Sequence, residues 1–218
     1  MIDTVIFDLD GTLLDTLEDL ADSVNYALAV VKLPKRTLEE IRTFVGNGVE
    51  ILIKRAVNGA LDEEEEKECL AIFKEHYRKN MNNKTKPYAG VLALIRCLKK
   101  DYHIAIVSNK FDHAVKELNT IYFEGMFSVA IGAAAGIEKK PAPDAVYEAL
   151  RQLKVSKERA IYVGDSDVDL HTAENAGLPF VGVTWGFRDE QLLRELGADD
   201  IIHQPEQLLD ILARRNNY

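Results

Sequence analysis

Short apolar runs without internal alternation recur along the chain at residues 4–8, 103–108, 160–165 and 179–184. A run with no polar residue on alternate positions suits a strand buried on both faces. Residues 127–131 form a fifth candidate and 200–203 a sixth. Between the runs, apolar residues fall at helical spacing: 91, 92, 94, 95 and 98, then 145, 146, 149, 150 and 153. Residues 167–176 and 190–196 share that pattern. Strand and helix in alternation predict α/β architecture, an open parallel sheet of Rossmann-like type.

Residues 16–84 break the rhythm. Leu17, Leu20, Ala21, Val24, Ala27 and Leu28 recur at helical spacing, as do Ile51, Leu52, Ala56 and Val57, then Leu70, Ile72, Phe73 and Tyr77. No run there has strand character. The acidic stretch Asp62 to Glu66 reads as a helix start, with Asp62 as N-cap and the following carboxylates favoured by the helix dipole. Pro34 and Thr85-Lys86-Pro87 punctuate the block. The pattern predicts an all-α domain at 16–84, inserted into an α/β core made of 1–15 and 85–218.

Composition narrows the partners. Thirty-six acidic against 27 basic residues give a net charge of −9. That excludes a general nucleic-acid binder, which needs a basic face. It leaves open a small phosphorylated substrate, because one local lysine can draw in an anion. No apolar run approaches the roughly 20 residues that span a bilayer. The first residues also lack a basic, signal-like start. We expect a cytoplasmic protein with no membrane partner. Cys69 and Cys97 lie in no Cys-x-x-Cys pair and read as buried or half-buried thiols. The five histidines show no metal-ligand spacing, and there is no ATP-binding P-loop. Oligomeric state is not legible.

The chemistry concentrates where strands end. Asp8-Leu9-Asp10-Gly11-Thr12 follows the first apolar run directly. Two carboxylates that close repel and lose water, an arrangement proteins keep mostly where chemistry needs it. Ligands of an open α/β sheet gather at the carboxyl ends of its strands. The second run ends at Ser108-Asn109-Lys110, and 160–165 leads into Gly164-Asp165-Ser166-Asp167-Val168-Asp169. Lys139-Lys140-Pro141 opens a helix between them. All-oxygen carboxylate ligands favour Mg²⁺. Such an ion relieves the repulsion among Asp8, Asp165 and a phosphate, while Ser108 and Lys140 take other phosphoryl oxygens. Gly46-Asn47-Gly48 could shape a loop facing this edge. Trp185-Gly186-Phe187-Arg188 either borders it or is a packed turn.

These motifs, in this order, resemble the haloacid dehalogenase (HAD) superfamily of phosphotransferases, and the insertion matches its C1-type helical cap. A closer similarity is to bacterial phosphoglycolate phosphatases. It rests on Phe44-Val45-Gly46-Asn47-Gly48, Thr85-Lys86-Pro87-Tyr88, Ser108-Asn109-Lys110 and Val163-Gly164-Asp165-Ser166. The resemblance implies that Asp8 attacks phosphorus to form an aspartyl-phosphate and that Asp10 serves as acid and then base. It implies that Ser108 and Lys140 bind the phosphoryl group. It places Mg²⁺ on Asp8, Asp165 and the backbone carbonyl of Asp10. Lys140 is preferred to Lys139 because it directly precedes the proline. Asp169 orients this set or is an ordinary first-turn carboxylate. Asn109 either binds phosphate or closes the strand end, and Ser166 is a helix N-cap or a water-mediated metal contact.

A leaving group with a carboxylate calls for cationic or amide side chains in the cap. Arg42, Asn47 and Lys54 are the candidates, against the alternative that Arg42 and Lys54 are solvated helix charges. The function implied is a Mg²⁺-dependent phosphomonoester hydrolase acting on a small phosphorylated metabolite such as phosphoglycolate. A phosphoglucomutase-like transferase, a pyrophosphatase or nucleotidase, and a non-catalytic binding protein on the same fold are the alternatives.

Overall fold

A computed structural model describes residues 1–217. The chain opens with strand β1 (Thr4–Phe7) and the two-residue β2 (Leu14–Asp15). Four helices follow: α1 (Leu17–Val30), α2 (Leu38–Phe44), α3 (Val49–Val57) and α4 (Glu63–Asn80). Then come β3 (Lys86–Pro87), α5 (Val91–Leu98), β4 (His103–Phe111), α6 (Asp112–Phe123), β5 (Val129–Ala133) and α7 (Asp144–Leu153). The chain finishes with β6 (Ala160–Gly164), α8 (Asp167–Ala176), β7 (Phe180–Val183), α9 (Glu190–Glu195), β8 (Asp200–Ile202) and α10 (Gln207–Asn216).

The main sheet has six strands in the order β5-β4-β1-β6-β7-β8, all pairs parallel. Alternate residues of β1 serve opposite faces. Val5 and Phe7 pack with Leu94 and Ile95 of α5, Val115 and Leu118 of α6 and Leu208 of α10. Ile6 packs with Ala145 and Val146 of α7 and Ala173 of α8. Both faces are thus covered, which is why these strands read as unbroken apolar runs. After β1 the chain builds outward through β4 and β5, then crosses back to β6 and builds the other way. The crevice at that reversal, beside the carboxyl end of β1, is where such sheets bind ligands.

Helices α1 to α4 carry their own apolar cluster, centred on Leu28, Ile41, Ile53, Cys69 and Phe73. Capping boxes set the starts of α2 and α4. Asp62 accepts from the N–H groups of Glu64 and Glu65, and Glu65 returns a bond to the Asp62 N–H. The two chain crossings between this block and the sheet run side by side, since β2 pairs antiparallel with β3. Asp19 fastens them. Its carboxylate is 1% exposed and accepts from the backbone N–H of Lys84 and of Thr85, and from Thr85 Oγ1 at 2.8 Å.

Three features depart from the sequence pattern. β4 runs on past Ser108 to Phe111. Helices α6 and α10 were not anticipated, and neither start has a side-chain cap to announce it. Cys69 is buried as expected, but Cys97 is exposed, on the solvent side of α5.

Removing the Asp19 carboxylate leaves buried N–H donors without an acceptor. We predict that Asp19→Ala lowers stability by about 2–3 kcal/mol, read by chemical denaturation.

Candidate active site

The site forms at the carboxyl edge, where β1 and β6 stop as their apolar residues run out and β4 carries on through Ser108-Asn109-Lys110. Asp8 is the first residue beyond β1, and its N–H still donates to the Val163 carbonyl, extending the ladder by one bond. The chain then turns back on itself, with Leu13 and Leu14 N–H both donating to Leu9 O. Gly11 holds φ at +92°, a backbone state that glycine takes without strain. A Cβ there would also land on the Asp165 carboxylate. On β4 the pairing with β5 shifts register between Val107 and Phe111. That irregularity frees Ser108, Asn109 and Lys110 from the ladder and brings all three to the cavity wall.

One cavity of about 50 Å³ collects these residues. The sheet edge contributes Asp8, Asp10, Ser108, Asn109, Lys110, Lys140, Asp165, Ser166 and Asp169. The helical block closes it with Leu20, Val45, Val49, Leu52 and Tyr77.

Lys140 is the hub. Its Nζ donates to Asp8 Oδ1 at 2.6 Å, to Asp169 Oδ1 at 2.6 Å and to the Tyr162 hydroxyl at 3.1 Å. All three ammonium donors are therefore used. Lys139 instead leaves the cavity and pairs with Glu50 of α3. Asp169 is saturated: Oδ2 accepts from the Ser166 N–H and Oγ, and Oδ1 from Lys140 and Tyr162. Ser166 returns the bond as the N-cap of α8. Asp165 Oδ1 accepts from Thr12 Oγ1 at 3.0 Å, and Oδ2 from the Phe187 N–H at 2.7 Å. Asp8 Oδ2 accepts nothing from the described residues.

Electrostatics follow from this packing. Burial pushes Asp8 well above its usual range; Lys140 opposes, and Asp169, Asp165 and Asp10 add to the rise. Burial and then Asp169 push Asp165 up to about 7, against the Phe187 and Thr12 hydrogen bonds. Burial pulls Lys140 down, but Asp169 and Asp8 outweigh it and hold it above the ordinary lysine range. Carboxylate oxygens of Asp8, Asp165 and Asp169 lie within 4.8 Å of one another. Such a buried cluster of hard oxygen donors, short of positive charge, fits a divalent cation of the Mg²⁺ type. Asp8 and Asp165 have spare lone pairs for it, whereas Asp169 does not.

Asn109 has its amide committed. Its Nδ2 donates to the carbonyls of Gly46 and Lys140, and its Oδ1 accepts from the Lys140 N–H. It ties β4 to the lysine loop and to the helical block rather than offering a free amide. Residues 185–188 border the site. The Phe187 N–H holds Asp165, and Trp185 Nε1 donates to Thr12 O.

The three cap positions are not brought to the cavity. Arg42 spends its guanidinium on the carbonyls of Gly186 and Phe187, latching α2 to the sheet side. Lys54 is exposed. Of the Gly46-Asn47-Gly48 loop only the two glycines line the wall. The residue that the sequence reading left without a role is Lys110. Its Nζ reaches Asp10 Oδ1 at 2.7 Å and the Tyr77 hydroxyl at 2.6 Å. Ser108-Asn109-Lys110 as a strand end was the available signal.

Between the usual Asp range and about 7, folded Asp165 keeps a proton that the unfolded chain has lost. The folded state then binds more protons, so this group's contribution to stability falls as pH rises through that window. Glu50 and Glu148, held down at about 2, lose their contributions only on the acid side of the usual Glu range. We predict that in chelator the melting temperature is higher near pH 5.5 than near pH 8. Mg²⁺ added near pH 8 should recover several degrees by binding only the folded state. A calorimetric pH series with and without metal checks both.

Comparison with known proteins agrees with this geometry. Residues 5–183 match the family described as haloacid dehalogenase-like hydrolase. A phosphoglycolate phosphatase of Mesorhizobium japonicum is 35% identical over 216 residues, covering 97% of this chain and 95% of that protein. One from Haemophilus influenzae is 35% identical over 215 residues, covering 94% and 96%. The crystal structure of a predicted phosphoglycolate phosphatase from Haemophilus somnus superposes with a TM-score of 0.89 at 31% identity, covering 97% of this chain and 98% of that one. Fold, site geometry and sequence together make this chain a member of the haloacid dehalogenase-like hydrolases, an enzyme of the phosphatase type.

Proposed function

We propose that the protein hydrolyses a small phosphomonoester, 2-phosphoglycolate foremost, through an aspartyl-phosphate on Asp8. The observation that carries this is the state of the Asp8 carboxylate. One oxygen is fixed by Lys140 and the other has no donor, at the floor of a cavity closed by helices. A buried carboxylate oriented on one side and open on the other is a nucleophile in waiting.

Asp8 Oδ2 attacks phosphorus as the bond to the ester oxygen breaks. Asp10 gives its proton to that oxygen, so the leaving group departs as an alcohol. Asp10 then takes a proton from water as the water oxygen attacks the same phosphorus. The P–O bond to Asp8 breaks, which releases inorganic phosphate and restores the carboxylate. Ser108 Oγ donates to a phosphoryl oxygen, while the Lys140 ammonium, its donors committed to protein, contributes its positive charge beside it. Asp8, Asp165 and the Asp10 carbonyl would hold the Mg²⁺, while Asp169 and Ser166 orient Lys140 and the loop around it. When bound, the ion supplies the positive charge that keeps Asp8 ionised and polarises a phosphoryl oxygen.

Helices α1 to α4, with boundaries at 16–84, act as a cap that excludes bulk water and selects the leaving group. The smallness of the cavity favours a compact ester over a sugar phosphate. The phosphoglycolate phosphatase relatives favour the same substrate.

We expect Mg²⁺-dependent phosphate release from 2-phosphoglycolate, lost by about 10³-fold or more in Asp8→Asn. Asp10→Asn should lose about 10²–10⁴-fold. Phosphate release by Asp8→Asn at the wild-type rate would refute the covalent reading.

A further inference from the structure

Three cations line the cavity, and the reaction above employs only Lys140. Arg188 is spent on protein: its guanidinium donates to Asp167 Oδ1 and to the carbonyls of Arg42 and Val45. Lys110 differs from both. Its side chain is 2% exposed. Nζ donates to Asp10 Oδ1 and to the Tyr77 hydroxyl, which leaves one of its three N–H groups without an acceptor among the described residues. Burial pulls its pKa down, yet Asp10 and Tyr77 together hold it above the ordinary lysine range, so it stays charged. The helical side of the cavity around it is otherwise apolar, with Leu20, Val45, Val49 and Leu52. A spare ammonium donor in such surroundings is costly until something accepts from it.

We propose that Lys110 determines substrate specificity by binding an anionic group, a carboxylate, on the leaving group itself. The proposal rests on the phosphatase reading above and adds to it the residue that reads the substrate. Position supports it. Asp10 is the group that protonates the ester oxygen, and Lys110 grips the same carboxylate. Two ordinary hydrogen bonds to one carboxylate place the ester oxygen roughly 4–6 Å from Nζ. A carboxylate on the carbon that bears the ester oxygen spans that interval; one much farther along does not fit so small a cavity. A neutral leaving group would bury the ammonium donor unpaired. A site built this way rejects such a ligand more strongly than shape alone can.

The test compares 2-phosphoglycolate with 2-hydroxyethyl phosphate, in which a hydroxymethyl group replaces the carboxylate. Wild-type protein with Mg²⁺ should prefer the carboxylate ester in kcat/KM by on the order of 10²-fold, the scale for one buried charged partner. Lys110→Met should collapse that ratio toward one, chiefly through KM for 2-phosphoglycolate. It should also slow both esters by a common factor, because Lys110 holds Asp10. An unchanged ratio in the variant would mean that Lys110 only positions Asp10, and the proposal falls. A wild-type protein that treats the two esters alike overturns it without reference to how the variant folds. If the wild type releases phosphate from neither ester, the 2-phosphoglycolate reading fails along with it.

Discussion

The ammonium of Lys140 holds the carboxyl edge of the sheet together. Four aspartates, Asp8, Asp10, Asp165 and Asp169, meet around one cavity, and burial pushes Asp8 and Asp165 toward their protonated forms. Lys140 bonds two of them and the Tyr162 hydroxyl at once. Its charge comes from a loop, its orientation from a strand and a helix. Removing one partner would strand several charges in a dry interior, a far larger penalty than the net gain of an ordinary ion pair. The remaining negative excess among Asp8, Asp165 and Asp169 fits a divalent cation.

The same economy appears where the helical block meets the sheet. Few contacts join them, and most converge on residues beside the chemistry. Asn109 reaches Gly46 from one side, and Arg42 and Arg188 exchange bonds with opposite backbones on the other. Lys139 pairs with Glu50, and Lys110 with Tyr77. Arg188 also pairs with Asp167, and its neighbour Phe187 holds Asp165. The docking of the helices and the seating of the Asp165 loop therefore share one short stretch of chain.

Much of this was legible in the sequence because it is local. Unbroken apolar runs marked β1, β4, β6 and β7, with β5 and β8 as further candidates, and carboxylates stand just beyond β1 and β6. Asp62 and Ser166 were read as N-caps from composition and position, and each closes a capping box. What was hidden depends on long-range geometry. A two-residue strand such as β2 has no periodicity to detect. The register shift in β4 is a relation to β5, invisible in either run alone. Arg42 looked like a substrate-facing charge since its helix position permits it; that its partners are carbonyls 144 and 145 residues away follows only from the fold. Lys110 was overlooked for a similar reason: its partners lie 100 and 33 residues away, on two different layers.

Asp19 has a mechanical meaning. Standing in the first turn of α1, just past the outgoing crossing, and gripping the returning one at Lys84 and Thr85, it ties the two tethers at a single point. A block hung from one pivot swings, but it cannot slide or twist freely. The far rim, where Arg42, Asn109 and Glu50 make their contacts, is held by hydrogen bonds and an ion pair rather than by continuous chain.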